Sequence, residues 1–426
     1  MVVNARISSP TFERVAKGLV ALHRLIKDGR DESPEAEAFR DELDVPLKAL
    51  NPTERLRAQW LSEDLYSASE PPPATEPKAL NPQAQRQLNE AFEARQSREW
   101  DRALALLRRW KEYIAPGLLS YLRGSIWLDL GHPDVAAVFY CHASECDPTN
   151  ANYQAIYMHV LAQSSPDAAG KLANQVLADG ERYAPVVVAR AAEIRFQQTR
   201  NSSDPESARL HRKLIPILER NLARIETGAD GADGTSGLPG CAMTIAVLGF
   251  CQELLGNTRA AVDFYTRGLQ MNPNDDGLLV ARGVLLYGTD PRSIIDFEQA
   301  VERGTSLIWP YLFLAHHHLI TSRYEQCRVM CEAGLRKQGS NMSKSQLEEW
   351  RAIAQAELGF PPELVRVAFE AALRLDPSND LAKRNRAAFE AFLQVPHTES
   401  SAAWEQRTVA AIRQLGAAEH PYTVAA

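Results

Sequence analysis

The sequence predicts an all-α protein, an array of helix–turn–helix repeats that follows an N-terminal helical extension. Three observations lead to this prediction. Two 34-residue blocks of the chain line up with each other residue by residue. Both blocks carry the small residues, glycines and prolines that terminate helices and bring them close together. The overall composition is that of a folded chain.

The composition also excludes several classes of protein. Of 426 residues, 45% are hydrophobic and 24% charged, and 54 acids exceed 47 Lys and Arg for a net charge of −7. Disordered chains are less apolar than this. A net-acidic chain lacks the electrostatic surface of a general nucleic-acid binder, so we expect no nucleic-acid partner. No apolar run is long enough to span a membrane, so we expect no membrane span. The six cysteines form no disulfide pattern, which favours a reducing, cytoplasmic location.

Residues 1–67 are predicted to form an N-terminal region of three helices. Three dipeptides mark the predicted helix starts: Ser9-Pro10, Ser33-Pro34 and Asn51-Pro52. Ser or Asn caps the N-terminus of a helix, and Pro fits the first turn that follows. In the third helix, Leu56, Trp60 and Leu65 are expected to face inward. The second helix is acidic over residues 35–44, which is typical of a solvated surface. Docking of a basic partner there is the alternative.

Two segments of turn-forming composition divide the rest of the chain. Residues 68–83 are predicted to be a Pro-rich linker, and residues 228–240, GADGADGTSGLPG, a Gly-rich loop or hinge. They delimit a first half-array over 84–227 and a second over 241–380. Residues 381–426 are predicted to form capping helices and a tail, because a terminal repeat needs a polar outer face.

The two blocks that line up are residues 117–150 and 242–275. Each has a small residue in its first half, Gly at its centre, Ala and then an aromatic four residues later, and Pro near its end. The small residue lets the paired helix approach closely, the central Gly ends the first helix, and the Asp-Pro or Asn-Pro step ends the second. Each block is therefore predicted to be a helical hairpin.

This spacing resembles the tetratricopeptide repeat family, and in particular its bacterial scaffold and adaptor proteins. The residues of the second block that match the family motif are Leu248, Gly249, Ala261, Tyr265 and Pro273. Those of the first block are Gly124, Ala136, Tyr140, Ala143 and Pro148. Arg123 departs from the motif, which has Leu at that place. Further units continue the register on both sides of these blocks. Partial matches to the motif occur at 84–116, 276–307, 308–341 and 347–380. Two more units, at 151–183 and 184–226, are inferred from their position.

The resemblance implies a concave wall, formed by the first helix of each unit, that grips peptides or partner segments. The partner-binding residues predicted on this wall are Tyr121, Phe250, Val280, Val284, Trp309, Leu312 and His316. The family's carboxylate-clamp subgroup, which holds chaperone C-termini, needs Lys, Asn and Arg at such places, and these units lack them. An apolar, aromatic wall instead suits an amphipathic helix or a hydrophobic peptide.

No catalytic, cofactor or metal site is predicted. In the run His316-His317-His318, consecutive side chains point about 100° apart on a helix and cannot converge on one ion. Cys327 and Cys331 share a helix face, but they fall at packing positions of the repeat, where buried cysteine is common. No phosphate-binding glycine motif and no nucleophile motif occurs. We therefore predict that the protein is not an enzyme.

The predicted function is that of a non-catalytic scaffold or adaptor that binds another protein. The alternative is a ligand- or peptide-responsive regulator, in which the segment 228–240 acts as a hinge between the half-arrays. A third possibility is that the protein's own segments cover the wall. The sequence alone leaves the partner and the oligomeric state open.

Overall fold

A computed structural model describes residues 8–69, 77–202, 204–227 and 237–394. Over these ranges the chain folds into 20 α-helices, with two short 3-10 turns and no β-strand. The prediction of an all-α fold is confirmed.

The chain divides into two compact units, Met1–Gly256 and Asn257–Ala426, which we call unit 1 and unit 2. The helices of unit 1 are α1 Pro10–Lys27, α2 Pro34–Ala49, α3 Pro52–Ser69, α4 Pro82–Gln96, α5 Trp100–Arg109, α6 Pro116–Asp129, α7 Pro133–Cys146, α8 Ala151–Ser164, α9 Pro166–Ala178, α10 Pro185–Thr199, α11 Pro205–Thr227 and α12 Gly237–Leu254. The helices of unit 2 are α13 Thr258–Met271, α14 Asp276–Leu286, α15 Arg292–Glu302, α16 Trp309–Ile320, α17 Tyr324–Leu335, α18 Asn341–Glu357, α19 Pro362–Leu375 and α20 Asp380–Leu393.

The hairpin of α6 and α7 shows how the sequence pattern brings two helices together. A Cβ on Gly117, at the start of α6, would lie 3.3 Å from Cys146 at the end of α7, so the helices are antiparallel. A Cβ on Gly124, halfway along α6, would lie 3.2 Å from the ring of Tyr140. Gly131 makes the turn with a φ of +86°, which side chains disfavour. These are the close approach and the turn that the repeat predicts.

The hairpins also stack in the manner of tetratricopeptide-like repeats. In unit 1, α7 packs on both α6 and α8, and α11 packs on both α10 and α12. In unit 2, α17 packs on both α16 and α18. Each of these three second helices therefore joins its own hairpin to the next one.

The N-terminal helices share a core with the hairpins that follow them. The ring of Phe12 on α1 stacks on Trp127 of α6 at 6.2 Å, and both side chains are fully buried. The Ser8 hydroxyl lies 2.8 Å from Nε2 of His132 at the start of α7, and Lys27 pairs with Glu145 near its end at 2.5 Å. Helix α1 thus runs along the whole of α7, and the N-terminal region is integral to unit 1.

A buried ion pair explains why Arg123 departs from the repeat motif. Arg123 on α6 lies 2.9 Å from Asp64 on α3, and both side chains are almost fully buried. Arg108 on α5 bonds the same carboxylate. A leucine at position 123 would leave Asp64 with one cation in place of two, so the substitution follows from the docking of α3.

The structure changes three details predicted from the sequence. Leu56 is 44% exposed, because α3 turns Ala58 and Leu61 inward beside Leu65, which is buried as predicted. The ends of the predicted linker, at 68–69 and 82–83, lie in α3 and α4. Residues 237–240, predicted as the end of the Gly-rich loop, form the first turn of α12. Residues 70–76, 228–236 and 395–426, which include parts of the predicted linker, hinge and tail, lie outside the described residues.

Candidate functional site

The predicted wall residues all lie on first helices of hairpins. In unit 1, Tyr121 lies on α6 and Phe250 on α12. In unit 2, the remaining five lie on two helices: Val280 and Val284 on α14, and Trp309, Leu312 and His316 on α16. The two sets belong to different compact units, and we describe each set within its own unit.

Two of the predicted residues belong to the core. Leu312 is 1% exposed and packs in the same apolar cluster as Cys327 and Phe369, and Val280 is 7% exposed. A partner cannot reach side chains buried to this degree. Their assignment to the wall was wrong, because on these short helices the positions next to the wall turn toward the neighbouring hairpin.

Val284, Trp309 and His316 remain partly exposed, and the structure brings them into one surface. Val284 and Trp309 both pack against the cluster that contains Tyr287 and Phe313. The rings of Trp309 and Phe313 are 6.4 Å apart. We call Val284, Trp309 and His316 the unit 2 wall, which the buried side chains of Tyr287 and Trp350 support from beneath.

His316 joins three first helices of this wall. Its Nδ1 lies 2.7 Å from the hydroxyl of Tyr287 beside the end of α14, and its ring lies 5.3 Å from that of Trp350 on α18. Burial raises the pKa of the Tyr287 hydroxyl, which therefore keeps its proton and shares a hydrogen bond with Nδ1. The hydrogen bond fixes the imidazole, so this wall has a defined shape before any partner arrives.

In unit 1 the predicted residues form aromatic pairs between successive first helices. Tyr121 on α6 stacks on Tyr153 of α8 at 5.4 Å. Phe250 on α12 stacks on Phe196 of α10 at 5.5 Å. Offset aromatic pairs at these distances are favourable. They hold the first helices side by side while leaving Tyr121, Tyr153 and Phe250 partly exposed.

Sequence reasoning missed one half of each aromatic pair. Tyr153, Phe196 and Trp350 were not among the predicted binding residues, although the ring of each lies against the ring of one that was. The signal was an aromatic on the first helix of a neighbouring unit, which is the next one for Tyr153 and Trp350 and the preceding one for Phe196. Reading one unit at a time does not reveal it, because the two rings meet only when the hairpins stack.

The other candidate groups serve packing. Burial, together with nearby positive charge from Arg323, lowers the pKa of both His317 and His318, so both are neutral near pH 7. Cys327 and Cys331 are buried. Within the described ranges, no three His, Cys, Asp or Glu side chains gather as metal ligands do. The same ranges contain no helix with both the length and the apolar composition that a membrane crossing requires.

The acidic helix α2 carries its charges on the surface. Glu35 pairs with Arg30 at 2.5 Å, and Asp44 pairs with Lys48 one turn away at 3.1 Å. Glu37, Asp41 and Glu42 are exposed. This arrangement is that of the solvated face that the sequence favours, and exposed pairs of this kind add little stability.

Comparisons with known proteins find only distant structural similarity. No family model matches the sequence, and no curated protein does. A tetratricopeptide repeat protein from Parabacteroides merdae is 13% identical, with a TM-score of 0.38 over 68% of this chain and 98% of that chain. A monomeric mutant of IFIT1, solved with Gppp-AAAA, is 11% identical, with a TM-score of 0.38 over 95% of this chain and 94% of that chain. At this level of similarity neither structure informs the partner of this chain.

Proposed function

We propose that the protein is a non-catalytic scaffold or adaptor, and that the unit 2 wall binds an apolar or amphipathic segment of a protein partner. One observation carries the proposal: Trp309, Val284 and His316 are partly exposed on adjoining helices, and core residues on both sides hold them in place. Large aromatics on a rigid surface are the usual carriers of binding energy.

The rigidity of the wall supports the same conclusion. Tyr287 and Trp350 fix His316 from both sides, and Phe313 supports Trp309. A surface that needs little ordering loses little entropy when a partner binds. The partner that this chemistry favours is a helix or peptide that presents apolar side chains at helical spacing.

The proposal is tested by affinity capture from the native cell with the full chain and a Trp309→Ala variant. We expect the variant to lose capture of a specific partner, since truncation of such an anchor costs about 2 kcal/mol or more of binding free energy. The matched control is Ile295→Ala. Ile295 is 52% exposed on α15, a second helix, whereas the wall residues lie on first helices.

Equal loss with both variants would mean that any exposed apolar residue suffices and that the wall is not specific. An unchanged set of partners with Trp309→Ala would move the binding surface elsewhere, with the acidic helix α2 next to be tested. A wall covered by the protein's own segments would also give no change, and crosslinks within the chain would identify that case.

A second candidate function, the ligand-responsive regulator, is supported by a cavity in unit 1. The cavity has a volume of 680 Å³ and lies between the end of α9, α10 and α11, with Leu177, Val188 and Ile217 in its apolar lining. Small-molecule sites span roughly this size. Asn221 also lines it and is buried, and no group among the described residues donates a hydrogen bond to its Oδ1.

Screening of peptides and metabolites by thermal shift tests this second function. A ligand should raise the melting temperature of the native chain but not of an Ile217→Trp variant, in which the larger side chain fills the cavity. A ligand that stabilises both proteins equally binds elsewhere. If the whole screen gives no shift, the scaffold is favoured over the regulator.

A further inference from the structure

Glu349 is an acid buried inside unit 2. It lies in the middle of α18 and is 2% exposed. A carboxylate in such a place is costly unless a cation or several donors compensate for the lost water. Its surroundings therefore decide whether it carries a charge.

The partners of Glu349 come from the last described helix and its cap. Asn379, the N-cap residue of α20, donates from Nδ2 to Oε2 of Glu349 at 3.2 Å. Asn385 lies further along α20, beyond its first turn, and donates from Nδ2 to Oε1 of Glu349 at 2.7 Å. The two amides thus join the start of α20 to α18 through one buried carboxyl group.

No cation faces this carboxyl group among the described residues. Arg336 at the end of α17, Lys344 on α18, Arg374 on α19 and Arg384 on α20 form no ion pair with Glu349, and no positive charge contributes to its pKa. Other basic groups of these elements pair with other acids. On α18 itself Arg351 bonds Glu348. The remaining ion pairs on α17, α19 and α20 are Arg328 with Glu325 and Glu332, Arg366 with Glu390, Lys383 with Asp380, and Arg386 with Glu370. On α16, His316 forms a hydrogen bond with Tyr287 and contacts the ring of Trp350, and the cysteines of α17 are buried.

A second observation indicates the protonated form. The Oδ1 of Asn385 is buried, and no group among the described residues donates a hydrogen bond to it. A buried acceptor without a donor is unfavourable. A protonated Glu349 would supply the missing donor beside the same amide, and the acid and the amide could then bond in both directions.

We propose that Glu349 is a pH-sensitive latch, which holds α20 on α18 while its carboxyl group is protonated and loosens α20 when that group ionises. Ionisation would place an uncompensated charge in the core. Movement of α20 away from α18 would return that charge to water. The inference does not depend on the proposed function.

The sign of the effect follows from burial. Burial raises the pKa of Glu349 to about 7 in the docked state, although the hydrogen bonds from the two amides act in the opposite direction and lower it. When α20 is undocked, the group returns toward its ordinary pKa of 4.5. Protons thus bind more tightly to the docked form, so docking is strongest below pH 4.5 and weakens as the pH rises through 7.

Hydrogen exchange of the full chain, followed by mass spectrometry of peptides from residues 380–394, tests the latch. We expect the protection factors of these amides, corrected for the intrinsic rate at each pH, to fall by about tenfold or more between pH 5.5 and pH 8.5. Peptides from α14 and α16 should change much less, which excludes a general loss of structure.

Two variants separate the latch from a surface effect. Glu349→Gln imitates the protonated acid, because its Nε2 can donate to Oδ1 of Asn385, so protection should stay high at both pH values. Glu390→Gln removes a partly exposed acid of the same helix, which pairs with Arg366 of α19, and it should keep the wild-type fall in protection.

Three outcomes would overturn the proposal. The first is a wild-type protein whose α20 is equally protected at pH 5.5 and pH 8.5. The second is a Glu349→Gln variant whose protection of α20 still depends on pH. The third is a Glu349→Gln variant whose α20 is unprotected at both pH values while its other helices remain folded. The last would mean that the anion holds the helix. If Glu349→Gln fails to fold, the pH profile of hydrogen exchange in the wild-type protein decides, together with infrared spectroscopy. Absence of the infrared band of a protonated carboxyl group at pH 5.5 contradicts the latch.

Discussion

The hairpin of α6 and α7 in unit 1 and the hairpin of α16 and α17 in unit 2 follow one repeat pattern but are covered differently. The N-terminal helices pack on the first, bury Trp127 fully and pair Asp64 with Arg123. The second has Leu314 where the first has Arg123, and it leaves Trp309 and His316 partly exposed. The comparison teaches that a departure from the repeat motif marks where another segment of the chain docks. The partly exposed Trp309 and His316 mark the surface where we propose that a partner binds.

The largest expected effect tests the docked side of this comparison. Asp64→Leu should cost about 3–5 kcal/mol of unfolding free energy, because it leaves Arg123 buried without an anion. Arg123→Leu should cost less, since Asp64 keeps Arg108 and the repeat gains the leucine that its motif has there. Denaturant unfolding measures both.

The double variant sharpens this test. Combining Asp64→Leu with Arg123→Leu should recover part of the loss, because no buried charge is then left uncompensated on α6. If the two single losses simply add, or if Asp64→Leu has an effect within about 0.5 kcal/mol, the ion pair does not explain the departure from the motif.

The next prediction concerns the residue of α16 that we moved from the wall to the core. Leu312→Ala should cost about 2–5 kcal/mol of stability, as truncation of a fully buried leucine does. The matched control Ile295→Ala removes an exposed aliphatic side chain and should stay within about 0.5 kcal/mol. Thermal unfolding compares the two, and equal costs would return Leu312 to the surface.

The third prediction tests the close approach of α6 and α7 at Gly124. Gly124→Leu should cost about 1–3 kcal/mol, because the side chain would meet the ring of Tyr140 and the carbonyl of Ala136. Gly180→Ala is the control. A Cβ there lies 3.7 Å from Val188, an ordinary contact, and should change stability by less than about 0.5 kcal/mol. A similar small effect at Gly124 would show that the repeat register is wrong.

The sequence predicts the local structure of this protein well because the signals for it are local. The caps at Ser9 and Ser33, the turn at Gly131 and the crossing at Gly124 each depend on a few neighbouring residues, and the structure has all four. The family resemblance adds the order in which hairpins follow one another.

What the sequence does not predict depends on contacts between distant segments. The pairing of Asp64 with Arg123, the stacking of Tyr121 on Tyr153 and the burial of Leu312 all require the stacked hairpins. The repeat register identifies which helix carries a residue. It does not decide which side of a short helix the neighbouring hairpin covers, so two of the seven predicted wall residues proved to be core.

The central claim, that the unit 2 wall binds a partner, is tested most directly by crosslinking in the native cell. A photoreactive amino acid would replace His316 in one variant and Ile295 in a second. We predict that a distinct protein crosslinks to position 316 and not to position 295. Crosslinks of that protein from position 295 alone, or crosslinks from position 316 only to the chain itself, would contradict the claim.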